Sequence, residues 1–332
     1  MSELAVVVAR EQTESVLDSL AAAGLYDDTR SIQPHGEGVA IPVTDAPDGH
    51  ETVRVDLPAR NRDLRELLAN RGWSDADLDR LPTSWAVVGS CLLVQGDDFP
   101  DPAAVGDALL ELHGEADTVL VSHGIAGNRR EPDVEVIAGT GDTEVIHTEH
   151  GTKYALDLTR VMFSPGNQAE RARMGEVVAA DERVFDMFAG IGYFTLPMAR
   201  AGADVTAAEI NPEAYRYLVE NAVLNGVQDK LSAFRADCRD VDVLADRVVM
   251  GYYDAPDYLD TALAALDSGV VHLHATAPTD DPWTEPVAAL EAAAGERLVE
   301  ILDRRVVKSH APGVDHVVVD ARIGESARRR SV

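Results

Sequence analysis

The chain has 332 residues, which is enough for two or three domains, and it shows no signal-peptide pattern and no apolar run long enough to span a bilayer. Its formal net charge is −29, and only three of its basic residues are lysines. Such an acidic, lysine-poor composition is typical of proteins from salt-loving archaea. Because the Debye length at molar salt is only about 3 Å, the negative charge does not exclude a nucleic-acid partner.

Cysteine usage indicates the cellular compartment. The two cysteines, Cys91 and Cys238, are far apart in the chain and have no spacing typical of metal ligands. Thiols of this kind are ordinarily small apolar side chains in a reducing environment. We therefore expect a cytoplasmic protein without a metal site. We also expect a monomer, independently of the cysteines.

The first segment, residues 1–60, predicts a strand–helix–strand extension followed by a linker. Residues 4–9 are apolar and strand-like, residues 11–23 have helical spacing, and residues 38–43 form a second apolar strand. Asp, Pro and Gly are frequent between residues 45 and 60, which is typical of a linker.

The next segment, residues 61–165, has the pattern of a small α+β domain. Two short helices are predicted first, at residues 63–71 and after Ser74, which is a plausible N-cap. A further helix is predicted at 102–112. The short strands predicted around it lie at 86–94, 118–121, 134–138, 143–148 and 153–157.

Residues 166–325 alternate between helices and apolar strands, the pattern of an α/β, Rossmann-like, doubly wound sheet. The last two strands would form an antiparallel hairpin turned near Gly313, at one edge of the sheet. Seven strands are predicted, at 184–187, 204–209, 231–236, 247–251, 269–274, 298–308 and 315–321.

A glycine turn in this domain carries the strongest functional signal. Asp186 stands at the end of a buried strand, and Gly190 and Gly192 follow, where a β-carbon would hinder close approach of backbone and ligand. The next strand ends in Glu209, whose carboxylate can accept hydrogen bonds from two neighbouring ribose hydroxyls. The order of strand, glycine turn, helix, strand and acid predicts a nucleoside cofactor.

The details of the turn favour S-adenosylmethionine over a dinucleotide. No third glycine follows at the dinucleotide spacing, and an acidic residue in the turn suits a cationic ligand. Asp237, with Cys238 after it, follows another short strand and can accept a hydrogen bond from an adenine amino group. The alternative is a parallel-sheet domain whose glycines only make turns.

A second motif precedes this domain. Alternation up to Phe163 indicates a strand, Ser164 and Pro165 break it, and a helix carrying Arg171 follows. Ser164 and Arg171 would then approach the cofactor from the side opposite the glycine turn. The alternative is an N-cap serine followed by surface arginines.

Four segments together resemble a known family, that of enzymes modifying purine 37 of transfer RNA. They are residues 154–173, 184–197, 208–212 and 307–316. The family contains the archaeal and eukaryotic guanosine-37 N1-methyltransferases and the aminocarboxypropyl transferases of wybutosine synthesis. The resemblance covers roughly residues 85 to 322 and implies a class I methyltransferase fold, S-adenosylmethionine as donor, and a transfer RNA substrate.

Three departures place the resemblance closer to the aminocarboxypropyl branch. Gly251, Tyr252 and Tyr253 stand where the methyltransferases have Asn-Leu-Pro, and residues 269–274 and 190–197 also follow the aminocarboxypropyl pattern. The implied reaction moves the 3-amino-3-carboxypropyl group to C7 of 4-demethylwyosine at position 37 of tRNA(Phe), with methylthioadenosine leaving. The alternatives are the N1-methyltransferase, a catalytically idle RNA-binding protein and a small-molecule methyltransferase.

The roles that follow from this interpretation can be assigned in order. Glu209 would bind the ribose, and Asp237 with the Cys238 backbone amide would bind adenine. Ser164 and Arg171 are the next candidates for cofactor contacts. Asp186, Gly190 and Gly192 would surround the sulfonium. The sequence names no catalytic base. Tyr252 and Asp254 lie in the region where a base would act, with a packing tyrosine and a surface-loop carboxylate as the alternatives, and His272 and His274 are expected to be structural. Candidates for phosphate contacts are Arg129, Arg130, Arg171, Arg173, Arg216, Lys230, Arg304 and Arg305. The short basic tail 328–330 is expected to be a solvated end rather than an RNA contact.

Overall fold

The computed structural model describes residues 3–36, 38–47, 49–50, 52–58, 63–96 and 98–326. The chain forms two compact units, one of Met1–Leu81 with Asp98–Gly114 and one of Pro82–Asp97 with Glu115–Val332. The predicted division after residues 60 and 165 stays a prediction, and the basic tail 328–330 lies outside the described residues. Within the described part of the chain, no helix has the length and apolarity needed to cross a membrane.

The first unit contains a four-stranded antiparallel sheet in the order β2-β3-β1-β4. Its strands are β1 Glu3–Ala9, β2 Gln33–His35, β3 Gly38–Pro42 and β4 Thr52–Val55. Its helices are α1 Thr13–Ala22, α2 Leu64–Asn70, α3 Asp75–Leu78 and α4 Pro102–Leu112. Ser74 caps α3 as predicted, because its hydroxyl accepts from the Asp77 amide at 3.3 Å.

One prediction for this unit was wrong. The predicted linker at 45–60 contains β4, which pairs with β1 in antiparallel register. Its Val53 and Val55 pack on the buried side chains of Ala5 and Leu57. The alternating valines were obscured by the charged and turn-forming residues around them.

The second unit begins with a four-stranded sheet in the order β5-β6-β7-β8, followed by a separate hairpin of β9 and β10. The strands are β5 Trp85–Val88, β6 Cys91–Gln95, β7 Thr118–Ala126, β8 Glu131–Gly139, β9 Glu144–Glu149 and β10 Thr152–Asp157. The predicted single strand at 86–94 is instead a tight hairpin of β5 and β6, turned at Gly89 with φ +59°. Its two arms read as one strand because apolar residues continue through both.

A second predicted strand is shorter than expected. The alternation up to Phe163 suggested a continuous strand, but β10 ends at Asp157. The Asp157 carboxylate accepts hydrogen bonds from the Thr159 amide at 2.9 Å and the Thr159 hydroxyl at 2.7 Å. This local turn competes with the strand ladder and redirects the chain.

The main sheet has seven strands in the order β13-β12-β11-β14-β15-β17-β16. They are β11 Arg183–Asp186, β12 Asp204–Ala208, β13 Leu231–Phe234, β14 Arg247–Met250, β15 Gly269–Pro278, β16 Arg297–Ala311 and β17 Val314–Ser326. β17 runs antiparallel to both β15 and β16, and the neighbouring strands β11 to β15 are parallel. The predicted fold class and the reversed edge hairpin are confirmed.

Five helices cover this sheet: α5 Gln168–Val177, α6 Thr195–Arg200, α7 Pro212–Leu224, α8 Leu259–Ala264 and α9 Thr284–Ala294. Successive strand residues point to opposite faces, so Val249 packs with α5, α6 and α7, whereas Val248 packs with α8 and α9. Both are fully buried, and burial of each such side chain contributes roughly 1.5–3 kcal/mol to the stability of the fold. The chain leaves β11 toward β12 and returns on its other side as β14, which makes the carboxyl ends of β11 and β14 the switch point where ligands bind in such sheets.

Candidate functional site

A cavity of about 940 Å³ opens at the carboxyl edge of the main sheet, beside this switch point. The described residues of the second unit supply its walls, including the turns after β7, β11 and β14. Of the eight site residues predicted from the sequence, those that line it are Ser164, Arg171, Gly190, Glu209, Asp237 and Cys238. Asp186 and Gly192 lie behind the wall.

The glycine turn folds down onto the acidic end of β12. Gly190 has φ +58°, and its amide donates to Glu209 Oε2 at 2.7 Å. A β-carbon at Gly190 would lie 2.5 Å from the Tyr193 ring, so both the conformation and the space require glycine. Gly192 has φ +102° and packs against Leu196 and Leu218, so the lack of a side chain lets α6 pack closely against the turn.

Glu209 is oriented by backbone hydrogen bonds. Its Oε1 accepts from the Asn211 amide at 2.6 Å, while Oε2 accepts from Gly190. Burial raises the pKa of Glu209, and these two amides oppose that rise. Each carboxylate oxygen keeps further acceptor capacity, so the group can receive two adjacent hydroxyls from the cavity.

Asp186 has a supporting position. It is fully buried, its Oδ2 accepts from the Thr195 hydroxyl at 2.7 Å, and its Oδ1 accepts from the Phe188 amide at 3.4 Å. Burial raises the pKa of Asp186 to about 6. The carboxylate therefore ties the glycine turn to the start of α6, and its predicted place beside a sulfonium stays a prediction.

Asp237 and Cys238 follow β13 and line the far end of the cavity. Asp237 forms a two-point ion pair with Arg239, with Nε···Oδ1 at 2.8 Å and Nη2···Oδ2 at 2.6 Å. The Arg239 hydrogen bond holds the pKa of Asp237 below its usual range. Burial raises the pKa of the Cys238 thiol to about 12, so this side chain is a neutral filler. The sequence reasoning did not include Arg239, which also lies 5.0 Å over the Tyr258 ring.

Arg171 is buried, and each of its three side-chain nitrogens donates a hydrogen bond. Its Nε and Nη2 donate to the two oxygens of Glu149 at 2.6 and 2.8 Å, and its Nη1 donates to the Ser164 carbonyl at 2.9 Å. The alternative of a surface arginine is thereby wrong. Arg171 positions the Ser164 segment, and Glu149, which the sequence reasoning missed, neutralises its charge.

The Ser164 hydroxyl accepts from Lys308 Nζ at 2.7 Å. Lys308 lines the cavity as well. In the sequence, Lys308 is noticeable only as a lysine within an alternating strand of a lysine-poor chain. The pattern gives no reason to pair it with Ser164, which lies 144 residues away.

An aromatic wall follows β14. The Phe188 ring lies 5.2 Å from Tyr252 and 5.1 Å from Tyr258, and the Arg130 guanidinium lies 5.2 Å over Tyr253. Flat rings and a guanidinium plane of this kind can stack on a planar base. Arg130 was predicted only as a phosphate contact.

Both histidines of β15 are buried, as expected for structural residues. His272 lies between Asp320 and Arg247, each at 2.6 Å. Because arginine only donates, His272 Nε2 accepts and its Nδ1 donates to Asp320. His274 pairs with His316 at 3.0 Å, and burial lowers the pKa of both to about 3, so they are neutral.

Most of the predicted phosphate contacts are paired with carboxylates. These are Arg171, Arg173, Arg216, Lys230 and Arg305. In the described residues, no group of three or more His, Cys, Asp or Glu side chains is arranged to hold a metal ion.

Two family models match the chain. The TRM5/TYW2 methyltransferase domain matches residues 145–302, and the TYW2 N-terminal domain matches residues 64–143. The first match contains the β9–β10 hairpin from Val145 onward, the glycine turn and the Gly251 segment.

Individual relatives come from both branches. The chain is 40% identical over 272 residues to the tRNA(Phe) (4-demethylwyosine(37)-C(7)) aminocarboxypropyltransferase of Pyrococcus horikoshii. The aligned region covers 79% of this chain and 97% of that relative. It is 33% identical over 332 residues to the tRNA (guanine(37)-N(1))-methyltransferase Trm5b of Pyrococcus abyssi, covering 96% and 99%. The crystal structure of P. horikoshii TYW2 in complex with MeSAdo matches with a TM-score of 0.68 at 37% identity, covering 79% of this chain and 98% of that one.

Proposed function

We propose that this chain, which belongs to the TRM5/TYW2 family, is an S-adenosylmethionine-dependent transferase that modifies purine 37 of tRNA(Phe). It moves the 3-amino-3-carboxypropyl group to C7 of 4-demethylwyosine, and the N1-methyltransferase is the second candidate. The match to a TYW2 N-terminal domain and the higher identity to the aminocarboxypropyltransferase favour the first reaction.

The observation that carries this choice is the packing of Gly251. A β-carbon built there would lie 2.5 Å from Cε2 and 2.9 Å from Cδ2 of Phe194, inside van der Waals contact. An asparagine, which begins the Asn-Leu-Pro of the methyltransferase branch, therefore does not fit while Phe194 keeps its place. Glycine followed by Tyr252 and Tyr253 instead leaves a flat aromatic wall at this end of the cavity.

The cavity residues suit S-adenosylmethionine. Glu209 offers a carboxylate to the ribose, Asp237 and the Cys238 amide can hold adenine, and Gly190 allows close approach. When bound, the donor supplies an alkyl group on a sulfonium, which is an activated leaving group. Asp186 and Gly192 lie behind the turn, where Asp186 accepts from the Thr195 hydroxyl, and their place near the sulfonium is part of this proposal.

Positioning supplies most of the catalysis in this proposal. The new bond joins C7 to the γ-carbon, the carbon–sulfur bond breaks with its electron pair going to sulfur, and the C7 proton is released. Holding C7 in line with the breaking bond between the γ-carbon and sulfur lets the bound acceptor and donor react without a separate bimolecular encounter. The Phe188, Tyr252, Tyr253 and Arg130 surfaces would hold the planar base for that attack.

The setting of the reaction is proposed from composition. The acidic, lysine-poor sequence suits a monomeric, cytoplasmic enzyme of a salt-loving archaeon. Arg129, Arg130 and Arg304 remain the proposed phosphate contacts. The other candidates within the described residues, Arg171, Arg173, Arg216, Lys230 and Arg305, pair with carboxylates.

The test uses two preparations of S-adenosylmethionine, labelled either on the methyl or on the tail carboxyl carbon. Each is incubated at molar salt with phenylalanine tRNA that is unmodified or carries 4-demethylwyosine. We expect the carboxyl label in the precursor tRNA, with release of methylthioadenosine. Methyl label in unmodified tRNA would instead identify the N1-methyltransferase.

A further inference from the structure

Lys308 is placed at the same edge of the main sheet as the cavity. It lies near the end of β16, opposite His316 on β17, and His316 in turn lies opposite Thr276 near the carboxyl end of β15. All three residues line the cavity. The β16–β17 hairpin therefore brings a lysine to the carboxyl ends of the parallel strands.

The surroundings of Lys308 hold its ammonium in one place. Nζ donates to Ser164 Oγ at 2.7 Å, which leaves two N–H donors for another partner. Its stem passes over Gly166, where a β-carbon would lie 3.0 Å from Lys308 Cδ. Burial lowers the pKa of Lys308, and the nearby charges of Arg171 and Arg130 lower it further.

No acid in the described part of the chain forms an ion pair with Lys308. Among the described residues, the ion pairs of the cavity wall join Arg171 to Glu149 and Arg239 to Asp237, and none includes Lys308. A partly buried cation without a counter-ion is costly unless a ligand supplies the anion. The cavity thus contains a fixed donor site for an anionic group.

The order of the strands indicates which part of the donor would reach it. Asp237 follows β13, Glu209 follows β12 and the glycine turn follows β11, which are consecutive in the sheet. A ligand with adenine at Asp237 and ribose at Glu209 therefore extends its remaining part past β11, toward β14 and the hairpin that carries Lys308. The anionic group at that end of S-adenosylmethionine is the α-carboxylate of its four-carbon tail.

We propose that the Lys308 ammonium, held by the Ser164 hydroxyl, binds the α-carboxylate of the tail of S-adenosylmethionine. The assignment rests on the proposed function, because it takes S-adenosylmethionine as the donor. Fixing the tail at its far end restricts the γ-carbon to a narrow range of positions, which is what tail transfer requires and methyl transfer does not.

The test is a calorimetric titration of Lys308→Met at molar salt with three ligands. They are S-adenosylmethionine, decarboxylated S-adenosylmethionine, which lacks only the carboxylate, and methylthioadenosine, which lacks the whole tail. We expect the variant to lose roughly 10- to 100-fold in affinity for S-adenosylmethionine, the range of a charged hydrogen bond, and nothing for the other two. Lys230→Met is the control, since Lys230 pairs with Asp181 and Asp204 away from the cavity.

Two further variants separate charge from packing. Lys308→Arg keeps the cation and should retain most of the affinity. Gly166→Ala displaces the lysine stem and should weaken S-adenosylmethionine alone, by less than Lys308→Met does. An equal loss for all three ligands in Lys308→Met would assign the lysine to the fold, and an unchanged S-adenosylmethionine affinity with weaker tRNA binding would assign it to a phosphate. Either result overturns the proposal.

The proposal and the proposed function fail separately. The titration measures binding, whereas the label experiment measures which carbon is transferred. A chain that binds through Lys308 but transfers the methyl contradicts the proposed function and leaves the lysine assignment standing. If the chain transfers the tail and Lys308→Met keeps the full affinity for S-adenosylmethionine, the lysine assignment is wrong and the proposed function stands.

Discussion

Arg171 and Glu149 form a buried two-point ion pair, with side chains only 2% and 4% exposed. The pair joins α5 to the last residue of β9 and fixes the Ser164 carbonyl through the third nitrogen of Arg171. Glu149→Ala leaves the arginine buried without a counter-ion. We expect a loss of about 3–5 kcal/mol in the free energy of unfolding, measured by denaturant titration at molar salt.

The matched control for this pair is Glu220→Ala. Glu220 pairs with Arg216 on the surface of α7, where both side chains are more than 40% exposed. An exposed pair contributes roughly 0.2–1 kcal/mol, and less at high salt. Equal losses of unfolding free energy in the two variants would show that the buried pair stabilises the fold no more than an exposed pair does.

Glu209→Ala removes the carboxylate that the glycine turn presents to the cavity. Since the ribose is common to both ligands, we expect the affinities for S-adenosylmethionine and for methylthioadenosine to fall together, by roughly 10- to 100-fold. Lys308→Met should differ, because we expect it to weaken only the ligand that has a tail carboxylate. Calorimetric titration of both ligands measures the two effects.

Glu213→Ala serves as the control for Glu209. Glu213 lies four residues later, at the start of α7, and pairs with Arg160 outside the cavity. Its removal should leave both affinities unchanged. If Glu209→Ala also binds both ligands normally, the ribose assignment is wrong.

Local patterns predicted much of the main sheet and of the acidic side of the site. Buried strands such as β14 are continuous apolar runs, and Glu209 follows directly from the end of such a run. The partner of Arg171 could not be predicted in this way, because Glu149 is 22 residues away and lies on a different element. The contact of Lys308 with Ser164 depends on the closing of the β16–β17 hairpin over α5, for which no short-range signal exists.

Gly251→Ala tests the steric argument that separates the two reactions. The added methyl would lie 2.5 Å from the Phe194 ring, and overpacking of this kind costs about 1–3 kcal/mol in the free energy of unfolding. We expect thermal or denaturant unfolding to show this loss. Gly114→Ala, where nothing lies within 4 Å of the added methyl, should show none of it.

The double variant Gly251→Ala with Phe194→Leu identifies the cause. A smaller side chain at Phe194 makes room for the methyl, so the two changes together should cost less than their sum. Additive losses would show that Gly251 is not restricted by the Phe194 ring. In that case the steric argument against an asparagine at this position would fail, and the N1-methyltransferase would regain support.

The proposed role of Lys308 also predicts a pH dependence with a definite sign. The charged groups facing its ammonium are Arg171 from α5 and Arg130 from the β7–β8 turn. The titratable His316 on β17 also faces it but is neutral, because burial lowers its pKa to about 3. Burial and the two arginines lower the pKa of Lys308, so its proton is lost at a lower pH than that of an ordinary lysine. As the pH rises through that pKa, the ammonium becomes a neutral amine and the affinity for a carboxylate falls.

The measurement is a titration of S-adenosylhomocysteine, which keeps the tail carboxylate, across the alkaline range. We expect the affinity of the wild-type chain to decrease with rising pH, and that of Lys308→Arg to decrease less, because arginine keeps its proton. The ligand's own α-amino group titrates equally in both experiments, so the difference between the two chains isolates the lysine. Parallel curves would mean that the charge of Lys308 does not contribute to binding of the tail.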